Sequence, residues 1–236
     1  MTVTAYNNYL EARMSVVGSY VWNGHDVLIY DDALPAFAKI LKRRIKHRLQ
    51  NVIVVTGSTG SGKSTLAIQL CRAMDSKWGI ADNYIYDVED LKNKLSDPDS
   101  SPISLFDEGS ISLNSNNSMR NDDKMLVALF DTMRSLGWTS VICIPSIDSL
   151  NKRIREYHMD YQLICPSRPL ITGYDTRGFG QIFEHRLRDF GRPYNKLIAT
   201  TLYKPLPPRI DNEYQRIKRE HQDRLIQQFI RGDEKL

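Results

Sequence analysis

Residues 51–65 read Asn51-Val52-Ile53-Val54-Val55-Thr56-Gly57-Ser58-Thr59-Gly60-Ser61-Gly62-Lys63-Ser64-Thr65. The first six form a short apolar run rich in β-branched side chains, the pattern of a strand buried on both faces. The next nine have the spacing G-x-x-x-x-G-K-[ST] and then a further threonine. Lys63–Ala73 carries Leu66, Ile68, Leu70 and Cys71 and reads as a helix. A strand, a glycine loop and a helix in that order give the spacing its physical meaning. Glycine lets backbone N–H groups turn inward around a phosphate that side chains would block. The helix adds its positive N-terminal end. Gly57, Ser58, Thr59, Gly60, Ser61, Gly62, Lys63, Ser64 and Thr65 are therefore the candidate nucleotide-binding residues. Lys63 is expected to reach the β- and γ-phosphates, Ser64 to offer a hydroxyl to Mg²⁺, and Thr65 to lie near the α-phosphate.

Downstream the chain alternates. Tyr84–Val88, Ile103–Asp107, Thr139–Ile144 and Tyr161–Cys165 read as strands. Val88–Leu95, Asp122–Leu136 and Ile147–Met159 read as the helices between and around them. Such alternation predicts a parallel sheet covered on both faces. After Pro166 the pattern changes. Pro169–Tyr174, Gln181–Leu187 and Leu197–Tyr203 predict an antiparallel hairpin or meander with Gly- and Arg-rich turns. Leu206-Pro207-Pro208 breaks the chain. Asp211 can then cap a last helix with Tyr214, Ile217, His221, Leu225 and Phe229 on one face. Upstream, residues 1–30 read as irregular apart from a short strand at Asp26–Tyr30. A helix follows to about Gln50, with Leu34, Phe37, Ile40, Leu41, Ile45 and Leu49 on one side. Its other side carries Lys39, Lys42, Arg43, Arg44, Lys46 and Arg48. The expected fold is α/β: a RecA-like P-loop NTPase with a mainly parallel five-stranded core sheet, a C-terminal β-hairpin or meander, and a terminal helix. The expected division is 1–50 for the N-terminal segment and basic helix, 51–166 for the core, and 167–236 for the appendage.

The strand Ile103-Ser104-Leu105-Phe106 ends in Asp107-Glu108. Alone, two carboxylates there read as a solvated turn. With a phosphate loop in the same chain, Asp107 is expected to hold Mg²⁺, usually through water. Glu108 is expected to polarise the attacking water. Ser146, just past the fourth of the alternating strands, is a candidate polar sensor and equally an N-cap for the helix after it. Asn114, Asn116, Asn117 and Arg120 fall in a polar loop that reads first as plain loop. Arg153 and Arg155, and less so Arg134, are candidates for an arginine offered to a neighbouring subunit; each also reads as a surface charge.

The order of these elements resembles the additional-strand, catalytic-glutamate branch of P-loop ATPases. Within it, three features resemble the motor ATPases of the FtsK–HerA superfamily, which includes viral genome-packaging and zonula-occludens-toxin-like members. These are the compact spacing from loop to Asp107-Glu108, the segment Met133-Arg134-Ser135-Leu136-Gly137-Trp138-Thr139-Ser140-Val141-Ile142, and Pro145-Ser146 followed by Arg153 and Arg155. Members often carry glutamine at the end of the fourth strand, where this chain has Cys143 and Pro145. The resemblance covers about residues 50–165. It implies ATP and Mg²⁺ as cofactors, a hexameric or other ring of identical subunits, and DNA as the substrate acted upon, by translocation or packaging in a virus or plasmid system.

Composition sets only outer bounds. The 236 residues are 41% hydrophobic and 25% charged, with a net charge of +4, which is ordinary for a folded protein. Between Asp32 and Asp75 there is no acidic residue, so the basic helix is a candidate contact for nucleic-acid phosphates, though such a face is more often just solvated. Cys71, Cys143 and Cys165 lie apart in apolar segments and read as buried thiols of a reducing compartment. No run approaches the ~18 apolar residues of a membrane span. The expected location is the cytoplasm, or host cytoplasm or virion if the chain is viral. Two other readings stand beside the motor. Arg177, Arg186, Arg188 and Arg192 could close over phosphates in a nucleotide or nucleoside kinase, against which Glu108 argues. Alternatively, the C-terminal hairpin and helix could serve an ATP-dependent switch that recruits a protein partner.

Overall fold

A computed structural model describes residues 16–22, 25–31, 33–97, 99–107, 120–166, 178–186 and 194–231. In chain order the strands are β1 (Val16–Trp22), β2 (His25–Tyr30), β3 (Asn51–Thr56), β4 (Tyr84–Ile85), β5 (Ile103–Phe106), β6 (Thr139–Ile144), β7 (Tyr161–Ile164), β8 (Gly178–Arg186) and β9 (Tyr194–Tyr203). The helices are α1 (Ala33–Lys46), α2 (Lys63–Met74), α3 (Ile80–Asn83), α4 (Val88–Ser96), α5 (Arg120–Leu136), α6 (Lys152–Tyr157) and α7 (Pro208–Arg231).

The nine strands of the described residues join one sheet in the order β1-β2-β9-β8-β7-β3-β6-β5-β4. The run β7-β3-β6-β5-β4 is parallel throughout. β3 lies inside this run between β6 and β7, and every one of its residues is buried. Its alternate side chains feed two cores. Ile53 and Val55 meet Leu34, Phe37 and Leu41 of α1 and Leu66 and Leu70 of α2. Val52 and Val54 meet Phe130 and Met133 of α5 and Ile154 of α6. A strand apolar on both faces is what a sheet covered on both sides requires.

The expectation of a five-stranded core with an appended hairpin is corrected here. β8 pairs antiparallel with β7, β9 antiparallel with β8, and β2 parallel with β9 through Tyr30 and Thr201. The parallel core therefore continues sideways without a break. Residues 1–30 are not irregular throughout either: β1 and β2 form an antiparallel pair. The proposed strand Pro169–Tyr174 lies outside the described residues.

Three local expectations also change, each for a capping reason. The strand at Tyr84 ends at Ile85 because Asp90 accepts the Tyr86 and Asp87 N–H groups while Asp87 accepts that of Asp90, a capping box that takes these residues out of the strand and starts α4 at Val88, where the sequence placed it. The helix Ile147–Met159 is broken in two. Ser146 caps a 3₁₀ turn at Ile147–Ser149 and Asn151 caps α6, so two side chains restart the backbone within five residues. The last helix begins at Pro208, so Asp211 sits in its first turn rather than before it. A proline at the first helical position loses no bond, since that N–H has no intrahelical partner.

At the amino ends of β3 and β7, Arg44 ties α1 to the sheet. Its guanidinium donates to Asn51 Oδ1 at 2.5 Å, the Gln50 carbonyl at 2.8 Å and Asp160 Oδ1 at 2.9 Å. Asp160 Oδ2 accepts the Val52 N–H at 2.9 Å. Gly137 follows α5 with φ +69°, and a Cβ there would lie 2.5 Å from the Arg48 backbone. The R-x-x-G segment thus holds a close approach between α5 and the turn after α1. Among the described residues no helix is long and apolar enough to cross a membrane.

Candidate functional site

The site lies at the carboxyl edge of the parallel strands, where β3 leads into α2. Gly57 donates its N–H to the Pro145 carbonyl at 3.3 Å, pinning the loop's start to the end of β6. Ser61 N–H bonds the Ser58 carbonyl at 3.1 Å and closes the turn. Gly62 precedes α2 with φ +92°, a conformation that a side chain would strain. Lys63, the first residue of α2, is only 5% exposed. Its ammonium donates to the carbonyls of Gly57 at 2.9 Å and Ser58 at 3.1 Å. It therefore lies folded across the loop, over the concavity that the loop encloses.

Ser64 is the next residue of the helix. Its hydroxyl lies 3.0 Å from Asp107 Oδ1 and 3.1 Å from Oδ2. Asp107 directly follows β5 and is 2% exposed. Two motifs distant in sequence thus meet through one hydrogen bond, because β6 places β5 one strand away from β3. The residues fit a magnesium–phosphate group. A hydroxyl and a carboxylate at a shared edge are hard oxygen donors of the kind Mg²⁺ takes. Ser61 Oγ, within the loop, is buried with no hydrogen-bond partner among the described residues. Among those residues no group of three His, Cys, Asp or Glu side chains could hold a metal.

Two tyrosines from the C-terminal part close over this edge. Tyr203, the last residue of β9, donates its phenol to the Ser61 carbonyl at 3.1 Å. Its ring occupies the space that a side chain at Gly62 would need, since a Cβ there would lie 2.5 Å from the phenol oxygen. Tyr214 of α7 donates its phenol to Asp107 Oδ2. Burial, together with the adjacent Asp107 charge, pushes that phenol well above its usual pKa, so it stays protonated and acts as donor. Lys218, one turn on, reaches the Tyr214 oxygen at 3.3 Å. In the sequence Tyr214 shows only as one apolar position of a helical stripe, and nothing marks Tyr203.

The other candidates fall elsewhere. Glu108, Asn114, Asn116, Asn117, Arg177, Arg188 and Arg192 lie outside the described residues, as do the side chains of Arg120 and Arg186. Thr65 is half-buried in the first turn of α2, and Ser58, Thr59 and Gly60 are exposed. Ser146 is exposed and accepts the Asp148 N–H at 3.3 Å, which is a cap. Arg155 donates to Asp148 at 2.9 Å and to the Ile147 carbonyl at 3.4 Å. Arg153 lines a cleft of about 740 Å³ between α5 and α6 with Arg134, Asp131 and His158. The three cysteines are buried and unpaired. Burial pushes the Cys165 thiol up to about 11, and the other two also rise.

A glycine loop between a central strand and a helix, a serine behind its lysine and a strand-end aspartate bonded to that serine define a P-loop NTPase. The five parallel strands lie in the order fifth, first, fourth, third, second. Residues 32–168 match the profile of the family described as Novel STAND NTPase 3, and the chain belongs to that family. The match spans the loop and Asp107 and ends before β8. The family named is not the FtsK–HerA group that the R-x-x-G segment resembles. No curated protein matches the chain. Among solved structures it is similar to a KaiC-like protein from the hyperthermophilic archaeon Pyrococcus horikoshii OT3. The identity is 12% and the TM-score 0.36, over 65% of this chain and 89% of that one.

Proposed function

We propose that this chain binds ATP with Mg²⁺ at Gly57–Thr65 and hydrolyses it. The observation that carries the reading is the Ser64–Asp107 hydrogen bond at 3.0 Å, which joins the two acting motifs at one point. Loop N–H groups and the α2 terminus hold the phosphates. Lys63 leaves the Gly57 and Ser58 carbonyls to meet the β- and γ-phosphates. Ser64 and Asp107 would hold the ion, the one through its hydroxyl and the other by accepting hydrogen bonds from water around it. When bound, the ion would supply charge neutralisation for the transferring phosphoryl group. Glu108, adjacent to Asp107 in the chain, takes the proton of the attacking water. The test is nucleotide binding and phosphate release by the full chain and by Lys63→Ala. Loss of most affinity or turnover in the variant is expected, and near-normal hydrolysis at saturating ATP would refute the site.

The finer reading, an ATPase acting on DNA, has one observation in its favour. Lys39, Lys42, Arg43 and Lys46 of α1 are all exposed while the apolar face of that helix is buried. Such a face suits phosphates of a duplex or single strand. Measuring hydrolysis with and without double- and single-stranded DNA tests it. Stimulation that falls steeply with salt is expected, and indifference to both DNAs sinks the reading.

A further inference from the structure

We infer that Tyr214 is a latch on the metal acid: its phenol takes the place on Asp107 that a metal-bound water takes, and loading of Mg²⁺ with nucleotide displaces it, so that α7 reports whether the site is filled. This rests on the reading of Ser64 and Asp107 as the magnesium site. Tyr214 lies outside residues 32–168, so family membership does not carry it.

Asp107 accepts from Ser64 and, at Oδ2, from Tyr214. The three groups form one compact set of oxygens. A serine hydroxyl has a single proton. To bind a cation it must turn a lone pair outward, and the set then reorganises. Mg²⁺ gives up its waters reluctantly. A carboxylate serving it through water accepts O–H donors of the kind the phenol now supplies. With Asp107 2% and Tyr214 5% exposed, the phenol seals Oδ2 from solvent. A metal-bound water reaches that oxygen only by replacing it.

The latch is mounted on a lever. Residues 203–221 run across the whole nucleotide edge. Tyr203 grips the Ser61 carbonyl, and Gln69 of α2 donates to the Lys204 carbonyl. Ile217 is buried in the core one turn after Tyr214. His221 stacks on Tyr86 at 4.4 Å and Tyr84 at 5.1 Å, next to β5 on the outer strand. A side chain at Tyr214 cannot leave Asp107 without disturbing contacts that fix the first half of α7. The 24-residue helix extends about 36 Å, at 1.5 Å per residue. Its far half is exposed at Gln222, Asp223, Arg224, Ile226 and Ile230.

The experiment compares wild type, Tyr214→Phe and Lys63→Ala as full chains, with the β,γ-imido analogue of ATP in EDTA and in rising Mg²⁺. Phenylalanine keeps the ring and its packing. In Tyr214→Phe the Mg²⁺ concentration for half-saturation should fall about ten-fold, since a hydrogen bond to a charged group no longer competes. In EDTA the two proteins should bind the analogue alike. In wild type, amide exchange across residues 208–221 should quicken with the Mg²⁺ complex and not with analogue in EDTA. An unchanged or higher Mg²⁺ requirement in Tyr214→Phe, or exchange that ignores Mg²⁺, overturns the latch while leaving the site intact. Absence of any Lys63-dependent binding by wild type overturns the site reading, and the latch with it.

Discussion

Two polar clusters sit at opposite ends of β3, and they are satisfied in different ways. At the amino end, Arg44 meets Asp160, Asn51 and a carbonyl, while Asp160 also takes a backbone N–H. Cation is bonded to anion, and the fixed partners all belong to the fold. At the carboxyl end, Lys63 rests on two loop carbonyls and Asp107 accepts hydrogen bonds from a serine and a tyrosine. Those partners are neutral groups, each able to turn away at modest cost. One end is made to stay, and the other is made to exchange partners. Damage at the amino end should therefore appear in stability, and damage at the carboxyl end in turnover.

The largest expected effect tests whether the carboxyl edge is complete in one chain. Arg153→Ala/Arg155→Ala should lose about 10³–10⁵-fold in turnover if these arginines complete a neighbour's site. Mixed with Glu108→Gln protein, it should regain activity, because some interfaces then combine an intact arginine with an intact glutamate. Co-assembly without rescue at any ratio would assign both arginines to the surface. Next, Glu108→Gln should bind Mg²⁺ and ATP normally but turn over about 10²–10⁴-fold more slowly. Turnover within a few-fold of wild type would show that another group orients the water. At the amino end, Arg44→Ala should cost about 2 kcal/mol of stability, read from the denaturant midpoint, because Asp160 loses its cation. Its nucleotide affinity should stay within a few-fold; a large loss of affinity would break the contrast between the two ends. The smallest effect on turnover is expected for Gly137→Ala, which should lose stability by about 1–2 kcal/mol from its left-handed backbone and further from a Cβ 2.5 Å from the Arg48 backbone. Unaltered turnover per folded molecule is expected, and a fall in turnover at full stability would make the R-x-x-G segment part of the machinery.

What the sequence reveals here depends on how local the cause is. The loop was legible because its glycines, lysine and serine act through backbone turns only a few residues long. The parallel strands were legible because each is short and apolar, like Thr139–Ile144. The sheet's extension through β8, β9 and β2 was not, since nothing local in Tyr30 or Thr201 announces the other. The break within Ile147–Met159 was missed because Ser146 and Asn151 compete with helical bonds through their own side chains, while the apolar spacing reads on unbroken. Tyr214 was missed for a related reason: an amphipathic tyrosine in a helical stripe serves the core equally well with or without a partner for its hydroxyl. Only the placement of α7 over β5 supplies that partner.

The pairing of Tyr30 with Thr201 has a consequence for the order of events during synthesis. The β1–β2 pair leaves the ribosome long before the strand it joins is made. At about 5–20 residues per second, the wait is on the order of ten seconds or more. Throughout that interval β2 carries an open edge able to pair with other chains. The Leu28 carbonyl, later claimed by the Thr200 hydroxyl, still faces water, as does the Leu34 N–H that Thr201 will accept. Contacts so distant in sequence are the slow ones to form. The arrival of β9 therefore sets the pace at which the sheet closes, and the nucleotide edge gains Tyr203 in the same step.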